Sequence, residues 1–469
     1  MKNIDSSFGE AEAFSSFEKT ALTVTALSSF LGPVMISATN VALPAIQTEL
    51  GLNAVELGWV ITIYMLTMAM VLLPAGRLAD LYGRKKIFVT GMLLFTLASF
   101  LISMVTTIVP LLVCRAMQGL GTGLFTTTGM AILTSIIAPQ KRGRALGIYV
   151  AAVYIGLSVG PLWGGILTHH FGWRSLFLGM TPVGLGAILL TVMLLKGEWT
   201  GEEQCRFDAA GSLVYAASVL CLVYGLSILP VARGVVFFGV GLAGLVLFWL
   251  IQRQKSSPLV DVALFARNRT FTFSSLAALL HYAASFTVTF LMSLYLQYIK
   301  GMSPQSAGLF LMAQPVFMAL CSPMAGRLSD RLEPRLLASL GMGLTLLGVL
   351  FFSRVGAASS LALIGGNLVV LGIGFALFSS PNTNAIMGSV RPEEYGVASA
   401  MVGTMRLLGQ LVGMSVATVI LAALIGQRPL APDLYGHFID AMQSIFCVSA
   451  LFCGVGIAFS LYRGTLRSE

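Results

Sequence analysis

The long apolar segments of this chain constrain its fold more than any other feature. About 20 apolar residues form a helix that crosses the ~30 Å hydrocarbon core of a bilayer, and segments of that length recur along the whole chain. Only 10% of the 469 residues are charged, whereas a soluble domain has about a quarter. The sequence therefore predicts an all-α polytopic membrane protein. Its fourteen predicted spans lie near 20–44, 57–75, 87–105, 109–137, 145–168, 175–195, 209–229, 234–252, 271–297, 304–325, 336–353, 360–382, 395–424 and 441–462.

The basic residues predict the orientation of these spans. If the N-terminus is placed in the cytoplasm, twenty-one of the 28 lysines and arginines fall in cytoplasmic segments. The external loops then hold Arg174, Arg233, Lys300, Arg354 and Arg428, and two arginines fall within spans. This bias follows the positive-inside rule, and removing any one span would invert every later loop and destroy it. We expect a multi-pass protein of the plasma (inner) membrane with both termini in the cytoplasm.

A short motif occurs twice and indicates an internal repeat. The sequence Gly-Arg-Leu-small-Asp stands at 76–80 after the second predicted span and at 326–330 after the tenth. Repeats of this kind are typical of secondary transporters, whose binding sites lie between the repeats near the middle of the membrane. The predicted segments are a cytoplasmic tail over 1–19, a six-helix half over 20–197, a linker with two additional helices over 198–256, a second six-helix half over 257–462 and a cytoplasmic tail over 463–469.

The repeated loop contains residues suited to a polar latch. We expect Gly76 to let its helix approach a neighbour closely, and Asp80 to accept hydrogen bonds from a helix N-terminus or from an arginine such as Arg84. Asp330 occupies the equivalent position in the second copy. A latch of this kind forms in one conformational state and breaks in another. The alternative is a basic loop that only fixes topology.

The fifth predicted span carries a row of small residues. Gly156, Gly160 and Gly164 are spaced four residues apart, which predicts a groove for another helix backbone. Pro161 removes a backbone donor and favours a kink. The pattern is typical of a pivot between two halves, and ordinary helix packing is the alternative.

Together these motifs resemble the major facilitator superfamily, and within it the fourteen-helix drug:proton antiporter branch. The resemblance covers nearly the whole chain. It implies two six-helix halves plus two additional helices, and export by alternating access. The matched residues are Gly76, Asp80, Gly83, Arg84 and Lys85 after the second span, Arg115, Gln118, Gly119 and Gly121 in the fourth, Gly156, Gly160, Pro161, Gly164 and Gly165 in the fifth, and the segments 40–44, 207–211 and 406–413.

Three ionisable residues fall inside predicted spans, where a charge costs about 2.5–3.5 kcal/mol and is a functional candidate by default. The resemblance implies a role in proton coupling for Arg115, for which hydrogen bonding to carbonyls of the first span is the alternative. Arg406 is a candidate substrate contact or a packing residue. His281 can exchange a proton near neutral pH, although a lone histidine in an apolar helix is more often a neutral, hydrogen-bonded residue.

An absent carboxylate narrows the substrate class. Relatives that export cationic drugs often carry an aspartate five residues before the position matched by Asn40, and this chain has Met35 there. We find no Asp or Glu in the middle of any predicted span, so neutral, zwitterionic or anionic amphiphiles are favoured over cations. The candidate substrate contacts, each of which is equally compatible with a core role, are Met35, Tyr64, Tyr154, Tyr282, Phe286, Gln314, Asn367 and Arg406.

These features favour an exporter of lipophilic small molecules driven by the proton gradient. A dedicated carrier of one neutral, zwitterionic or anionic metabolite or lipid is the second reading, and a non-transporting receptor is the third. We expect no enzymatic activity, because no metal-ligand cluster or nucleophile with a base is visible, and the glycine-rich segment 119–123 lacks the lysine of a phosphate-binding loop. The expected partners are the substrate, protons and the lipid bilayer. We expect a monomer with no cofactor, no metal and no nucleic-acid partner.

Overall fold

A computed structural model describes residues 14–138, 141–200, 207–229, 231–255, 258–260, 262–391, 394–426 and 428–464. Most of the two predicted tails lies outside these ranges. The helices are α1 Ser16–Leu50, α2 Ala54–Tyr82, α3 Arg84–Ile102, α4 Ile108–Ile136, α5 Arg142–Phe171, α6 Arg174–Leu194, α7 Ala209–Ser227, α8 Ala232–Gln254, α9 Val262–Arg267, α10 Arg269–Leu294, α11 Pro304–Leu311, α12 Ala313–Ser329, α13 Pro334–Phe352, α14 Leu361–Gly388, α15 Tyr395–Ile425 and α16 Tyr435–Tyr462. A π-helical turn, Tyr295–Ile299, extends α10.

The fourteen predicted spans are confirmed. By length and composition, fourteen helical segments of the described chain are suited to cross a membrane. Two details were not predicted. The tenth span is divided into α11 and α12 at Met312, where Pro315 lacks the N–H that would donate to the Leu311 carbonyl. The short helix α9 lies before the ninth span, at the start of the predicted second half.

Helix α1 is longer than its apolar core, because polar residues cap it. The N–H of Glu18 donates to Ser15 Oγ at 3.1 Å, and the N–H of Ser15 donates to the Glu18 carboxylate at 2.8 Å. This reciprocal pair satisfies donors that a helix start leaves open. At the other end Gly51 adopts a φ of 66°, which ends the helix. The helix therefore covers 16–50 rather than the predicted 20–44.

The spans form two six-helix halves with α7 and α8 beside them. In the first half, α1 packs on α5, and α4 packs on α2 and α3; in the second half, α10 packs on α15 and α16, and α14 on α12 and α13. Helix α7 packs on α2 and α15, one from each half. The Tyr215 hydroxyl of α7 donates to the Ala69 carbonyl of α2 at 3.2 Å. We call the membrane face where α1 begins and α16 ends the terminal face, and the other the distal face.

A buried carboxylate fixes the start of the additional helix pair. Asp208 accepts hydrogen bonds from the Gly211 N–H at 3.0 Å and from Gln252 Nε2 at 2.8 Å, and Lys255 Nζ lies 3.3 Å away. Gln252 also accepts a hydrogen bond from the N–H of Leu259. Burial raises the pKa of Asp208, but the three donors outweigh it, so this pKa lies below its usual value. The cluster joins α7, α8 and the segment after α8 at the terminal face.

Candidate functional site

On the distal face, three hydrogen bonds between described residues join the two halves. Ser293 Oγ of α10 donates to the Asn40 carbonyl at 2.7 Å, and Gln297 Nε2 donates to the Val41 carbonyl at 3.0 Å. The Tyr298 hydroxyl donates to the side-chain carbonyl of Gln47. All three donors lie in α10 or its π-helical turn, and all three acceptors lie in α1. These bonds hold the two halves together at the distal face, and each of them can be replaced by a hydrogen bond to water.

Glycines of α5 allow close contact with α1 within the first half. A methyl group added at Gly156 would lie 2.7 Å from the Phe30 carbonyl oxygen, and one at Gly164 would lie 2.6 Å from that of Ala38. At Gly160 the added methyl would overlap Ser37 Oγ. Because these distances are too short for a real Cβ, larger residues would force the helices apart. The row of small residues therefore packs α5 on α1.

Two further glycines allow a close backbone contact between the halves. A methyl group at Gly165 of α5 would lie 2.6 Å from the Pro304 carbonyl oxygen at the start of α11. A methyl group at Gly308 of α11 would overlap the Pro161 carbonyl of α5. The distal part of α5 therefore contacts both α1 and the opposite half. This position is suited to a pivot.

The first copy of the repeated loop is a polar cluster inside the first half. Arg84 Nε and Nη2 donate to Asp80 Oδ1 at 3.0 and 2.8 Å, and Nη1 donates to the Ala131 carbonyl at 3.3 Å and to Ser135 Oγ of α4. Gly83, with a φ of 105°, turns the chain directly into α3. The cluster ties the α2–α3 turn to the end of α4.

The expectation that glycine is needed at position 76 for close approach of two helices is wrong. A methyl group at Gly76 would lie 3.7 Å from Thr127 Cγ2, an ordinary contact, so close approach of helices does not require glycine there. The neighbouring Lys85 donates its backbone N–H to Glu198 at 2.7 Å, and the Arg84 N–H donates to the Trp199 carbonyl at 2.8 Å. Both partners lie in the segment after α6, at the start of the predicted linker. Arg77 of the same loop donates to the Pro258 carbonyl at 3.3 Å, so the loop also contacts the segment after α8.

In the second half, the equivalent region contains a buried arginine that the sequence did not reveal. Asp330 forms the C-terminal cap of α12. Arg463, placed in the predicted tail, is 1% exposed and donates to Ser274 Oγ at 3.1 Å and to Asn382 Oδ1 at 2.7 Å. Burial lowers the pKa of Arg463 to about 10, while the nearby Glu333 opposes this shift. Arg463 thus joins the end of α16 to α10 and α14.

Arg115 is fully buried and lies entirely within the first half. Its Nε donates to the Val60 carbonyl at 3.1 Å, and Nη1 donates to Gln118 Oε1 at 2.6 Å. The guanidinium carbon lies 4.4 Å from the centre of the Tyr64 ring. The Nη2 atom has no hydrogen-bond partner among the described residues. One alternative predicted that Arg115 donates to carbonyls of the first span. This is wrong, because its carbonyl partner, Val60, belongs to α2.

His281 is fully buried in the second half, between α10 and α14. Its ring stacks on that of Phe378 with the centres 4.0 Å apart, and Nε2 lies 3.4 Å from Ser285 Oγ. The Nδ1 atom has no hydrogen-bond partner among the residues that the structure describes. The hydroxyl oxygen of the neighbouring Tyr282 lies 3.3 Å from Ser379 Oγ. The imidazole therefore has an aromatic and weakly polar environment with an open hydrogen-bonding position.

Arg406 lies about 16 Å from the N-terminal end of α15, at 1.5 Å per residue. It is part of the region where the two halves meet. Its side chain is partly buried. Helix α15 packs on α2 of the first half and on α10 of the second, and a methyl group at Gly409, about one turn beyond Arg406, would lie 3.0 Å from Tyr282 Cβ. Arg406 is near enough to Tyr149 of α5 and to Tyr282 for their charges to influence one another, as Tyr154 of α5 is to Tyr282. The Tyr149 hydroxyl already donates to the Thr126 carbonyl at 3.0 Å. Helices of both halves thus bring Arg406, Tyr154 and Tyr282 near one another, and their role as substrate contacts stays a prediction.

The remaining candidate contacts are dispersed. Met35 is buried in the core, and Tyr64 donates to Thr122 Oγ1 at 2.9 Å beneath Arg115. Asn367 donates to the Gly348 carbonyl at 2.9 Å and so holds α14 on α13. Phe286 packs on the main hydrophobic core. Gln314 of α12 is 9% exposed and makes no hydrogen bond within the described ranges.

Acidic side chains are confined to the ends of the described spans. Glu18, Glu49, Glu56, Asp80 and Asp440 all lie in the first or last two turns of their helices. Among the described residues, no group of three or more His, Cys, Asp or Glu side chains is placed to hold a metal ion. The region around Arg406 therefore has no carboxylate of the described spans at its own depth.

Comparison with known proteins agrees with this architecture. The model of the Major Facilitator Superfamily matches residues 25–265 and 274–468. The chain is 28% identical over 444 residues to the riboflavin transporter RibZ of Clostridioides difficile (strain 630), covering 94% of this chain and 96% of that protein. It is 32% identical over 412 residues to the multidrug resistance protein Stp of Mycobacterium tuberculosis (strain CDC 1551 / Oshkosh), covering 86% and 76%. The cephamycin export protein CmcT of Amycolatopsis lactamdurans is 30% identical over 442 residues, covering 91% and 89%.

Solved structures share the fold at low sequence identity. A bacterial homologue of the human lysosomal transporter Spinster, in an inward-facing and occupied conformation, superimposes with a TM-score of 0.67 at 16% identity, covering 96% of this chain and 97% of that chain. The peptide transporter POT in complex with sulfate gives a TM-score of 0.70 at 14% identity, covering 97% and 96%. These similarities concern the fold alone.

Proposed function

Because the chain belongs to the major facilitator superfamily, we propose that it exports lipophilic small molecules by proton antiport and alternating access. The observation that carries the proposal is the contact between the halves. They are joined at the distal face through hydrogen bonds and glycine contacts that can separate without breaking either half. The names of Stp and CmcT, a multidrug resistance protein and an export protein, support the direction of transport.

The proposed orientation places the terminal face in the cytoplasm and the molecule in the plasma (inner) membrane. The bonds of Ser293, Gln297 and Tyr298 to α1 then close the external side. On the terminal face, two hydrogen bonds among the described residues link the two halves: Ser399 Oγ donates to Met130 Sδ at 3.3 Å, and Arg77 Nη2 donates to the Pro258 carbonyl at 3.3 Å. Sulfur is a weak acceptor, so the first of these bonds is easily broken.

The substrate class follows from the chemistry where the halves meet. Tyr154, Tyr282 and the rings near them offer aromatic surface, which suits lipophilic compounds. A cation in such a region needs a carboxylate partner, and the acidic side chains of the described spans lie at their ends. The site therefore suits neutral, zwitterionic or anionic molecules better than cations.

For proton coupling, we assign the exchangeable group to His281 and a supporting role to Arg115. His281 Nδ1 and Arg115 Nη2 are buried atoms that have no hydrogen-bond partner among the described residues. Each is fully buried in a different half. The glycines around Pro161 and the Asp80–Arg84 pair, with Asp330 in the equivalent loop, serve as pivot and latches in this proposal.

A dedicated carrier is the second candidate. The similarity to RibZ, whose name gives a single substrate, favours it. A broad exporter should raise tolerance to several unrelated lipophilic toxins, whereas a dedicated carrier should change the level of one compound. A receptor, the remaining alternative, should move nothing.

The experiment that tests antiport measures proton movement in proteoliposomes when lipophilic cations or, separately, lipophilic anions and zwitterions are added. We expect proton release with the second group, and its loss in Arg115→Ala. The control is Arg233→Gln, which removes a charge from the exposed end of α8. Binding of these compounds without any proton movement would exclude antiport and leave a differently coupled carrier or a receptor.

A further inference from the structure

Arg406 is a charged side chain that has no counter-ion among the described residues at the contact between the halves. It is partly buried, and among the described residues it makes no hydrogen bond and no ion pair. Charged groups at this depth are costly unless they are paired or have a function. The other arginine inside a span, Arg115, shows how the fold satisfies such a group, with a carbonyl, an amide and a tyrosine ring.

The nitrogens of Arg406 remain accessible. The described residues include buried nitrogens without partners on Arg115 and Arg463, but none on Arg406. Since Arg406 also lacks protein partners, its guanidinium faces space that water or a solute can reach. A guanidinium offers five N–H donors in a planar fork, which matches a carboxylate, phosphate or sulfonate.

The groups around Arg406 define the rest of the ligand. Tyr149 of α5 and Tyr282 of α10 are near enough to Arg406 for its charge to influence them, and Tyr154 of α5 lies near Tyr282. The Tyr282 ring packs edge-on against Phe375 with the centres 5.5 Å apart. Tyr149 and Tyr282 are themselves buried, so an aromatic or aliphatic body would contact the partly exposed Tyr154 and Phe375 while its acidic group meets the guanidinium. No carboxylate of the described spans lies at this depth to repel that group.

We propose that Arg406 is the anchor for a negatively charged group of the transported molecule, so that the preferred ligand is an anionic or zwitterionic aromatic amphiphile. The inference rests on the proposed function, because it assigns a ligand class to the same contact between the halves. It goes further in excluding a purely hydrophobic basis for recognition. Arg406 then contributes through direct charge-assisted hydrogen bonds.

Two probes with one scaffold test the proposal. Anilinonaphthalene sulfonate carries a sulfonate, and phenylnaphthylamine is the same aromatic amine without it. We would measure binding of both to the full-length protein in nanodiscs of neutral lipid, with empty nanodiscs as background. The variants are Arg406→Gln, Arg406→Lys and the control Arg233→Gln, which removes the same charge on an exposed residue of α8.

We expect Arg406→Gln to weaken binding of the sulfonate probe by about tenfold or more while the neutral probe changes by less than about twofold. Arg406→Lys should retain part of the affinity, since it keeps the charge and loses the planar fork. Equal loss of both probes would show a structural role for Arg406 and overturn the proposal. Unchanged binding of the sulfonate probe in Arg406→Gln, or wild-type protein that binds neither probe, would also overturn it.

A transport measurement separates this inference from the proposed function. Export of the neutral probe from proteoliposomes depends on the proposed function and not on Arg406. If the neutral probe is exported by wild type and by Arg406→Gln, and sulfonate binding is unchanged, the anchor is wrong and the export function stands. If sulfonate binding depends on Arg406 but neither probe is moved, the export function fails.

Discussion

The contact of Gly308 with the Pro161 carbonyl gives a quantitative test of distal closure. Replacing Gly308 with alanine adds a methyl group that overlaps this carbonyl of the other half. Overpacking of a tight contact costs about 1–3 kcal/mol. The cost applies when the distal face is closed and is relieved when α5 and α11 separate. We therefore expect the ratio of closed to open molecules to fall by about 5- to 150-fold, since about 1.4 kcal/mol corresponds to a factor of ten.

A matched variant controls for the higher helix propensity of alanine. Alanine favours helix over glycine by about 1 kcal/mol at any interior position, and Gly366 of α14 has open space where a Cβ would be placed. Gly366→Ala therefore carries the propensity effect without the overlap. The difference between the two variants isolates the contact between the halves.

Distances between labels at the distal ends of the two halves report this equilibrium. Labels on cysteines introduced at Phe171 and Ala357, both exposed, would be placed after replacement of the six native cysteines. Pulsed electron paramagnetic resonance of spin labels should show a larger population at long distances in Gly308→Ala than in Gly366→Ala. The same distance distribution in both variants, with unchanged transport, would refute the closed contact as the structure shows it.

Two further predictions concern the terminal face. Asp208→Asn keeps a side-chain oxygen that can cap α7 but removes the negative charge that pairs with Lys255, so it should lower the free energy of unfolding by about 1 kcal/mol. Because the folded pKa of Asp208 is lowered, this contribution is present above the unfolded pKa of about 3.9 and is lost as the pH falls through the folded pKa. The melting curves of wild type and variant should therefore converge on acidification. Arg84→Gln removes a partly exposed ion pair with Asp80 and should lower stability by about 1 kcal/mol, measured by thermal unfolding in detergent, whereas Arg331→Gln, on an exposed residue, should have no effect.

The sequence predicted the spans well because crossing a bilayer is a local requirement. Length, hydropathy and charge bias act on each segment separately, so fourteen spans and two halves could be derived without tertiary contacts. Residue roles depend on the partner that a side chain meets. Asn367 looked like a mid-membrane contact and instead bonds the Gly348 carbonyl, and Arg463 looked like a tail residue and instead reaches Asn382. Both depend on helix pairing between segments distant in sequence. The break at Met312 was not predicted, but it could have been, because Pro315 is visible in the sequence.

The two arginines within spans differ in a way that bears on mechanism. Every partner of Arg115 shown here belongs to the first half, so rocking of the halves would carry Arg115 and its environment together as one body. Arg406 belongs to the second half but interacts with Tyr149 of the first. A conformational change can be driven by a ligand only through interactions that differ between the two states. When the halves move, the surroundings of Arg406 must change while those of Arg115 need not. We therefore expect substrate charge to bias the equilibrium through Arg406, and Arg115 to act by keeping the first half intact for the proton-dependent step.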